Sequence, residues 1–497
     1  MHVGIDLGTT NTLVSYVNET GNVCRVAFKN GREENKYLLP SCIAVNESGG
    51  ISVGQPALDT ERLYPNRVLR NTKNYMGTSK TWMLGRSSVD AGYAAEMILS
   101  EVLSELKRQF PEEKSFHALV TVPARFDTQA PRLATKEALK RAGFEYDEHN
   151  ALMDEPVAAA VAYSSRLTGS ENILVVDLGG GTFDLSLMRS KIVGLASSEN
   201  RLEPIAWGGD RELGGNDADK VILSLLLGKA EAQTGFKFKS SDPRDLSYTK
   251  EQSEALSRLL ESTAEIKSRL YAPGSESADI YIPELFPDVD LSTEITAEEY
   301  ESAAADIADR MRELIRGLYI SRGISFETTG RVLVVGGMAR ERCLLKILSD
   351  IFGAEKILIP EEPLYLVARG AAICNSSAAV HIDTRAYSSI GVLTHNRTKT
   401  DIIINEGDPV GEDFHVTRYY HPAVDNAVSL TVNVVEFKGS YDRSKCSLVY
   451  SASIPLKKRL FAGEQRVKAE FSLDKDNLLS VSLTQTDGSN TQLSVKL

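Results

Sequence analysis

Only five cysteines, two tryptophans and seven histidines occur among the 497 residues. Cys24, Cys42, Cys343, Cys374 and Cys446 are scattered, odd in number and form no CxxC pair, which points to reduced structural thiols rather than a disulfide framework. The histidines show no zinc-type spacing. No apolar run reaches the ~18 residues that a membrane-spanning helix needs, and the chain opens directly on a strand without a basic leader. Basic residues are outnumbered 56 to 68, for a net charge of −12. That balance argues against a nucleic-acid or anionic-membrane surface. The expectation is a soluble, cytoplasmic protein of roughly two to four domains.

Glycine, by contrast, is concentrated where it matters. The stretch Ile173 to Met188 reads ILVVDLGGGTFDLSLM. Ile173 to Val176 is a short apolar run of the kind that makes a buried strand. Asp177 ends it, Gly179, Gly180 and Gly181 turn the chain, and Leu185 to Met188 return as a second strand. Without Cβ atoms, the turn lets backbone N–H groups approach a phosphate closely. Asp177 and Asp184 bracket it, suited to a hydrated Mg²⁺, and Thr182 adds a hydroxyl. Taken alone, this is a Gly-rich hairpin with acidic shoulders.

A second copy starts at Met1, MHVGIDLGTTNTLVSYV. Val3, Ile5 and Leu7 alternate as in a half-buried strand. Asp6, Gly8, Thr9, Thr10 and Asn11 then stand at its end and turn, before a return through Leu13 to Val17. Asp6 and Asp177 occupy equivalent places, and such a repeat predicts two similar halves facing each other, each offering one phosphate hairpin.

Periodicity fills in the remainder. Strands are expected over Val23 to Phe28, Ser41 to Val45, His117 to Val122 and Arg331 to Val335. Helices are expected over Ala94 to Phe110, Leu133 to Ala142 closed by Gly143, Pro156 to Tyr163, Lys220 to Leu227, Lys250 to Leu270, Glu298 to Tyr319 and Glu341 to Phe352. Beyond Ala379 helical stripes give way to short alternating segments such as Leu430 to Val435 and Val467 to Leu473. Asp474 to Asn477 and Asp487 to Asn490 punctuate them as hairpin turns, so the C-terminal part reads as an antiparallel β-sandwich.

The two hairpins resemble the phosphate loops of the actin, sugar-kinase and Hsp70 superfamily of ATPases. TVPARF at 121–126, MDEPVAAAVAYSS at 153–165 and VLVVGGMAR at 332–340 narrow the resemblance to Hsp70 chaperones. It implies a two-lobed, actin-like α/β ATPase domain of duplicated ribonuclease H-like halves over 1–379, the lobes dividing near residue 170. A linker at 380–387 and an all-β substrate domain at 388–497 without a helical lid would follow.

By the same resemblance, Gly8, Thr9, Thr10, Asn11, Gly179, Gly180, Gly181 and Gly209 contact ATP or ADP. Lys267, Gly336, Gly337 and Arg340 line its adenosine side. Asp6 and Asp177 hold Mg²⁺ through water, with K⁺ a further candidate. Lys73, Glu155 and Thr182 join those aspartates in hydrolysis. Pro123 and Arg132 match residues that relay nucleotide state. Ala264 and Leu364 stand where the family carries acidic residues near the adenine, which implies weaker ATP affinity.

The linker VHIDTR keeps only Ile382 and Asp383 of a leucine-rich acidic strand, which implies altered coupling. Ala151 and Asp154 replace an arginine and an asparagine that contact J-domain partners, which argues against a conventional J-domain partner. Leu430, with Ile404 close by, marks the expected site for extended apolar polypeptide, and a nucleotide-exchange factor is a candidate partner. The function implied is an ATP-dependent chaperone. The alternatives are an ATP-switched adaptor for one protein partner and a sugar kinase.

Overall fold

The alternation in His2–Leu7 buries Val3, Ile5 and Leu7, and this strand lies at the centre of the N-terminal sheet. The structure is a computed structural model. It describes residues 1–496 apart from 30–34, 47, 62–63, 125, 127, 165–169, 194–198, 244, 246, 377–379, 395–398, 412–413, 440, 443, 457–466 and 486–491. The expected turn at Asp487 to Asn490 therefore lies outside the described residues.

The chain forms two compact units. Met1–Glu171, Ser186–Trp207 and Tyr365–Leu497 make the first, and Asn172–Leu185 with Gly208–Leu364 the second.

In the first unit, His2–Leu7 pairs in parallel with His117–Val122, which pairs in parallel with Leu152–Asp154. On its other side His2–Leu7 runs antiparallel to Asn11–Val17. The helix Leu366–Ser376 packs on this sheet and on the helix Glu155–Tyr163. Glycine makes that approach possible: a Cβ on Gly370 would run into the Ala158 carbonyl, and one on Gly4 into the Ala372 nitrogen.

The long helix spans Ala91–Gln109, longer at its start than its apolar stripe predicts. The Asp90 side chain accepts from Tyr93 N at 2.8 Å and caps it there. Ile98, Leu99, Val102, Leu103 and Leu106 are buried, with Met97 partly so. Gln129–Ala142 follows and closes on Gly143 in the left-handed region at φ 90°, as expected. The strand expected over Val23 to Phe28 stops at Arg25, and that over Ser41 to Val45 begins at Cys42.

The C-terminal part of this unit holds two four-stranded antiparallel sheets. One orders Lys399–Ile404, Ser389–Thr394, Ser429–Phe437 and Ser447–Pro455. The other orders His415–Tyr420, Val467–Leu473, Leu479–Gln485 and Gln492–Lys496. Ile390, Val434, Ile454, Phe471 and Val481, drawn from both, share one apolar core. Val380–Ile382 pairs in parallel with the start of the strand Glu199–Asp210, Ile382 opposite Leu202.

In the second unit, Glu171–Leu178 pairs in parallel with Thr329–Val335, and that with Ile357–Leu358. Lys250–Leu270 has its expected bounds, with Thr249 and Gln252 forming a capping box. The helix expected over Lys220 to Leu227 extends over Gly215–Thr234, because Asp217 reaches back to Gly214 N at 3.0 Å and starts it early.

The single helix expected over Glu298 to Tyr319 is two, Ala297–Ala303 and Ala305–Ile320. Tyr300 is anchored by hydroxyl contacts to Tyr271 at 2.7 Å and Glu341 at 3.1 Å. Such tertiary anchors leave no trace in helical periodicity. Among the described residues, no helix is long and apolar enough to cross a membrane.

Candidate functional site

Asp6 sits at the carboxyl end of His2–Leu7, where ligands gather in sheets with parallel strands. The turn after it is fixed by close packing: a Cβ on Gly8 would strike the Asn11 carbonyl. Ser41 N donates to the Thr10 carbonyl at 2.8 Å, which ties the turn to the neighbouring strand. Thr10 is exposed, and Thr9 and Asn11 are partly so.

Lys73 comes from a short 3₁₀ turn, Thr72–Tyr75, entered through Asn71 in the left-handed region at φ 58°. It is only 8% exposed and donates to the Glu155 carboxylate, itself 6% exposed at the start of its helix. Thr121, from the neighbouring parallel strand, donates to Asp6 Oδ1 at 3.3 Å. Burial pushes the Asp6 carboxyl up to about 7; Glu155 adds to the rise while Lys73 and Thr121 oppose it.

A cavity of about 20 Å³ lined by Gly8, Thr9, Thr72, Lys73 and Thr121 gives room for one water. Asp6, Gly8, Thr9, Lys73 and Glu155 are thus one cluster. Thr121 is an addition: it lies inside a motif legible in the sequence, but its partner is fixed only by the parallel register.

The second unit builds its own cradle. Asp177, 8% exposed, is the penultimate residue of the strand Glu171–Leu178, and Thr182, 7% exposed, directly precedes the return strand Phe183–Val193. Gly179 N donates to the Thr182 carbonyl at 2.9 Å, and Gly215 N and Asn216 N donate to the Gly179 and Gly180 carbonyls at 2.9 and 2.7 Å. The Gly-rich turn therefore lies against the N-terminus of the helix Gly215–Thr234, whose first two N–H groups its carbonyls satisfy. A Cβ on Gly214 would come within 2.6 Å of Thr182 N, and one on Gly209 would strike the Phe183 carbonyl.

Gly336, at φ 88°, packs on Asp177 Oδ1 and the Leu178 carbonyl so tightly that no side chain fits. Met338 N donates to the same Leu178 carbonyl at 3.0 Å. Gly337 and Arg340 are exposed, with Leu364 beside the space a Gly337 side chain would fill. Lys267 is half-buried and pairs with Asp219 at 2.7 Å, near the Gly215 carbonyl at 3.4 Å. Asp219 gave no signal in the sequence.

Comparison with known proteins decides the family. Residues 2–495 match the family model described as Hsp70 protein. The chain belongs to the Hsp70 family. It is 31% identical over 381 residues to the chaperone protein DnaK of Thermosipho melanesiensis, covering 75% of this chain and 58% of that one. It is 28% identical over 515 residues to the chloroplastic stromal 70 kDa heat shock-related protein of Pisum sativum, covering 96% of this chain and 68% of that one.

In this Hsp70-family chain Pro123 and Arg132, the two residues expected to relay nucleotide state, are buried. Arg132, 2% exposed, donates through Nε to the Phe126 carbonyl at 2.5 Å, and Phe126 N donates to the Pro123 carbonyl at 2.8 Å. Its other nitrogens reach the Asp476 carbonyl at 3.1 Å and the Asp154 carboxylate. Asp154 also accepts from the Tyr387 hydroxyl.

Lys136 Nζ pairs with Asp476 Oδ2 at 2.7 Å, and Leu152 N donates to Asp476 Oδ1 at 2.8 Å. The C-terminal sheets are thereby fastened to the N-terminal sheet and helices. Ala151 is fully buried and Asp154 is 5% exposed, so neither position expected to bear on J-domain contact is open to solvent.

One expectation needs correction. Ile404 is not close to Leu430: it is fully buried and pairs with Ile390, which pairs with Glu436, six residues along the strand from Leu430. That separation is about 20 Å at the rise of a strand. Leu430 itself is half-buried on the strand Ser429–Phe437.

Proposed function

We propose that this chain is an ATP-dependent molecular chaperone that binds and hydrolyses ATP and couples nucleotide state to binding of unfolded polypeptide segments. The observation that carries the reading is the cluster of Asp6, Thr121, Lys73 and Glu155 beside a turn that tolerates no side chain at Gly8. A buried ammonium next to two carboxylates suits phosphoryl transfer, where positioning and charge stabilisation do most of the work. Gly8, Thr9, Thr10 and Asn11 would bind phosphate from the first unit. Gly179, Gly180, Gly181, Thr182 and Gly209 would do so from the second, with Lys267, Gly336, Gly337 and Arg340 on the adenosine side.

The donor set fits Mg²⁺. Among the described residues no three His, Cys, Asp or Glu side chains converge on a metal position. Asp6 and Asp177 are the carboxylates that would hold such an ion, which keeps most of its water and takes only one or two carboxylates. When bound, Mg²⁺ would neutralise phosphate charge; K⁺ is a second candidate for the same role. Lys73 would hold positive charge toward the terminal phosphate, and Glu155 would orient the attacking water.

We read residues 1–379 as a two-lobed actin-like domain dividing near residue 170, 380–387 as its linker, and the two C-terminal sheets as a β-sandwich. Leu430 would supply one apolar contact to an extended peptide bound by its backbone. The burial of Ala151 and Asp154 speaks for regulation without a conventional J-domain partner; a nucleotide-exchange factor remains a proposed partner. The thiols of Cys24, Cys42, Cys343 and Cys374 suit the cytoplasm, the proposed compartment.

Two measurements test the reading together. Mg·ATP at about 100 times its dissociation constant should stabilise the fold by ~2.7 kcal/mol. A peptide array probed with ATP and with ADP should show many apolar sequences bound, with affinity that depends on the nucleotide. An unchanged melting temperature removes ATP binding, and a single bound sequence removes the chaperone in favour of an adaptor.

A further inference from the structure

In the second unit, hydrogen bonds tie the end of the helix Lys250–Leu270 to the turn that carries Arg340. Lys267 stands in the last turn of that helix, and its carbonyl accepts from Tyr271 N at 3.0 Å. Tyr271 therefore lies one helical turn beyond Lys267. Its hydroxyl meets that of Tyr300 at 2.7 Å, with the two rings edge to face at 5.8 Å. Tyr300 donates in turn to Glu341 Oε1 at 3.1 Å, and Glu341 directly follows Arg340. The other Glu341 oxygen accepts from Leu344 N at 2.6 Å and caps the helix Arg342–Phe352.

A phenol carries a single proton. That of Tyr300 lies toward the carboxylate, so Tyr271 has to be the donor to Tyr300. The bonds thus run in one direction, from Tyr271 through Tyr300 to Glu341, and links in such a chain strengthen one another. Tyr300 is 1% exposed and Glu341 2%, so water does not readily replace either partner. Burial pushes the Glu341 carboxyl up, while the N–H groups of Leu344 and Cys343 and the Tyr300 hydroxyl oppose the rise.

We infer that Tyr271 and Tyr300 are positioning residues for the nucleoside: through Glu341 they fix the spacing between Lys267 and Arg340, and so set how tightly the adenosine of ATP is held. This rests on the proposed reading of Lys267 and Arg340 as adenosine-side residues and says what holds that side in shape. Lys267 is steadied on its own helix side by Asp219 at 2.7 Å. Arg340 has to be placed against it from a different element. Its two successors do so. Glu341 reaches the helix end through the tyrosines, and Arg342 donates through Nη1 to the carbonyls of Ser275 at 2.7 Å and Leu270 at 3.4 Å. With Glu341 buried and Arg342 engaged in this way, Arg340 is the exposed residue of the three. A ligand gripped from two elements loses affinity when their spacing is no longer fixed before it arrives.

The test uses the full chain and two ligands, Mg·ATP and magnesium tripolyphosphate, which carries the phosphates and lacks the nucleoside. Tyr271→Phe removes one hydroxyl from a half-buried ring and leaves the Tyr300–Glu341 bond in place. It should weaken ATP binding by about fivefold, with inhibition of hydrolysis by tripolyphosphate unchanged within about twofold. Single-turnover hydrolysis at saturating ATP should keep its wild-type rate, because the change is confined to binding. Tyr300→Phe should give the same pattern, and the double variant should bind ATP no more weakly than the weaker single, as two links of one chain require.

Unchanged ATP affinity in Tyr271→Phe overturns the inference. So does a parallel loss of tripolyphosphate inhibition or of the saturating rate, since either marks a general loosening of the fold. If thermal melting shows Tyr300→Phe unfolded, Tyr271→Phe decides alone. A wild-type protein that binds no ATP overturns the nucleotide reading itself, and that measurement comes first, so the two failures are told apart.

Discussion

Lys73 and Glu155 form a buried ion pair, each less than a tenth exposed, although 82 residues separate them in the chain. Two long charged side chains do not stay out of water unless each answers the other. Removing one partner alone leaves the other charged and uncompensated. Lys73→Met should therefore cost about 3–5 kcal/mol of stability and slow single-turnover hydrolysis by about 10²-fold, ~3 kcal/mol. The double variant Lys73→Met with Glu155→Leu should regain much of the stability and none of the activity. Urea unfolding and quenched-flow hydrolysis separate the two effects; activity regained with stability would show that the pair is structural.

The second prediction concerns pH. Burial pushes the Asp6 carboxyl up to about 7, so near neutral pH the unliganded site carries a proton about half the time. Binding a hydrated Mg²⁺ and triphosphate requires the carboxylate, and the proton must leave. Titration calorimetry at pH 7 in buffers of different ionisation enthalpy should report about half a proton released per nucleotide, and affinity should rise from pH 6 to pH 8. The linkage for folding has the opposite sense. A carboxyl raised in the folded state contributes most below its unfolded value of 3.8, and that contribution is lost as pH rises through about 7. Buffer-independent heats and a flat affinity profile would count against the assigned role of Asp6.

Local features of the second unit were legible where a single residue type is required. The glycines at 179–181 announced a turn between two strands, and the turn is there, whereas the packing of Gly336 on Asp177 and Leu178 was not foreseen. The helix Lys250–Leu270 was legible to the residue because a wide apolar stripe and a capping box agree on its bounds. What the sequence hid is everything set by distant contacts. Nothing local in NTKNY marks Lys73 as buried against Glu155, and without a family resemblance it reads as a surface lysine. Tyr387 falls at the last position of the expected linker, 380–387. Its importance lies in an Asp154 more than two hundred residues away, which no pattern of period 2 or 3.6 reaches.

Glycine also supplies a paired test of that unit. Gly336 sits at φ 88° with Asp177 and the Leu178 carbonyl against the place of its Cβ, whereas Gly228 lies in the helix Gly215–Thr234 with nothing within 4 Å. Gly336→Ala should destabilise the protein by more than the ~1 kcal/mol that left-handed backbone alone costs, and should weaken nucleotide binding because Asp177 has to shift. Gly228→Ala should stabilise it by about 0.5–1 kcal/mol through helix propensity and leave binding alone. Equal melting temperatures for the two variants would contradict the packing at Gly336.

The attachment of the C-terminal sheets yields the last expectation. Asp476 is fully buried, accepts from Lys136 at 2.7 Å and from Leu152 N at 2.8 Å, and is pushed up to about 6 by its burial despite Lys136. Gln129 adds two bonds to the same loop, donating through Nε2 to the Asn477 carbonyl and accepting from Leu479 N, both at 2.8 Å. Lys136→Ala leaves Asp476 without its counter-charge in a dry contact, so the sheets should unseat rather than bury it, at a cost of about 3–5 kcal/mol in the seated state. Trp207, which touches Tyr387 beside this contact, should then report a more polar surrounding in its emission. Because the Asp476 pKa is raised in the seated state, lowering the pH from 7 toward 4 should favour seating in the wild-type protein, opposite to the behaviour of a simple surface salt bridge. A wild-type Trp207 emission that shifts toward the unseated form on acidification in this range would mean that the ion pair outweighs burial at Asp476.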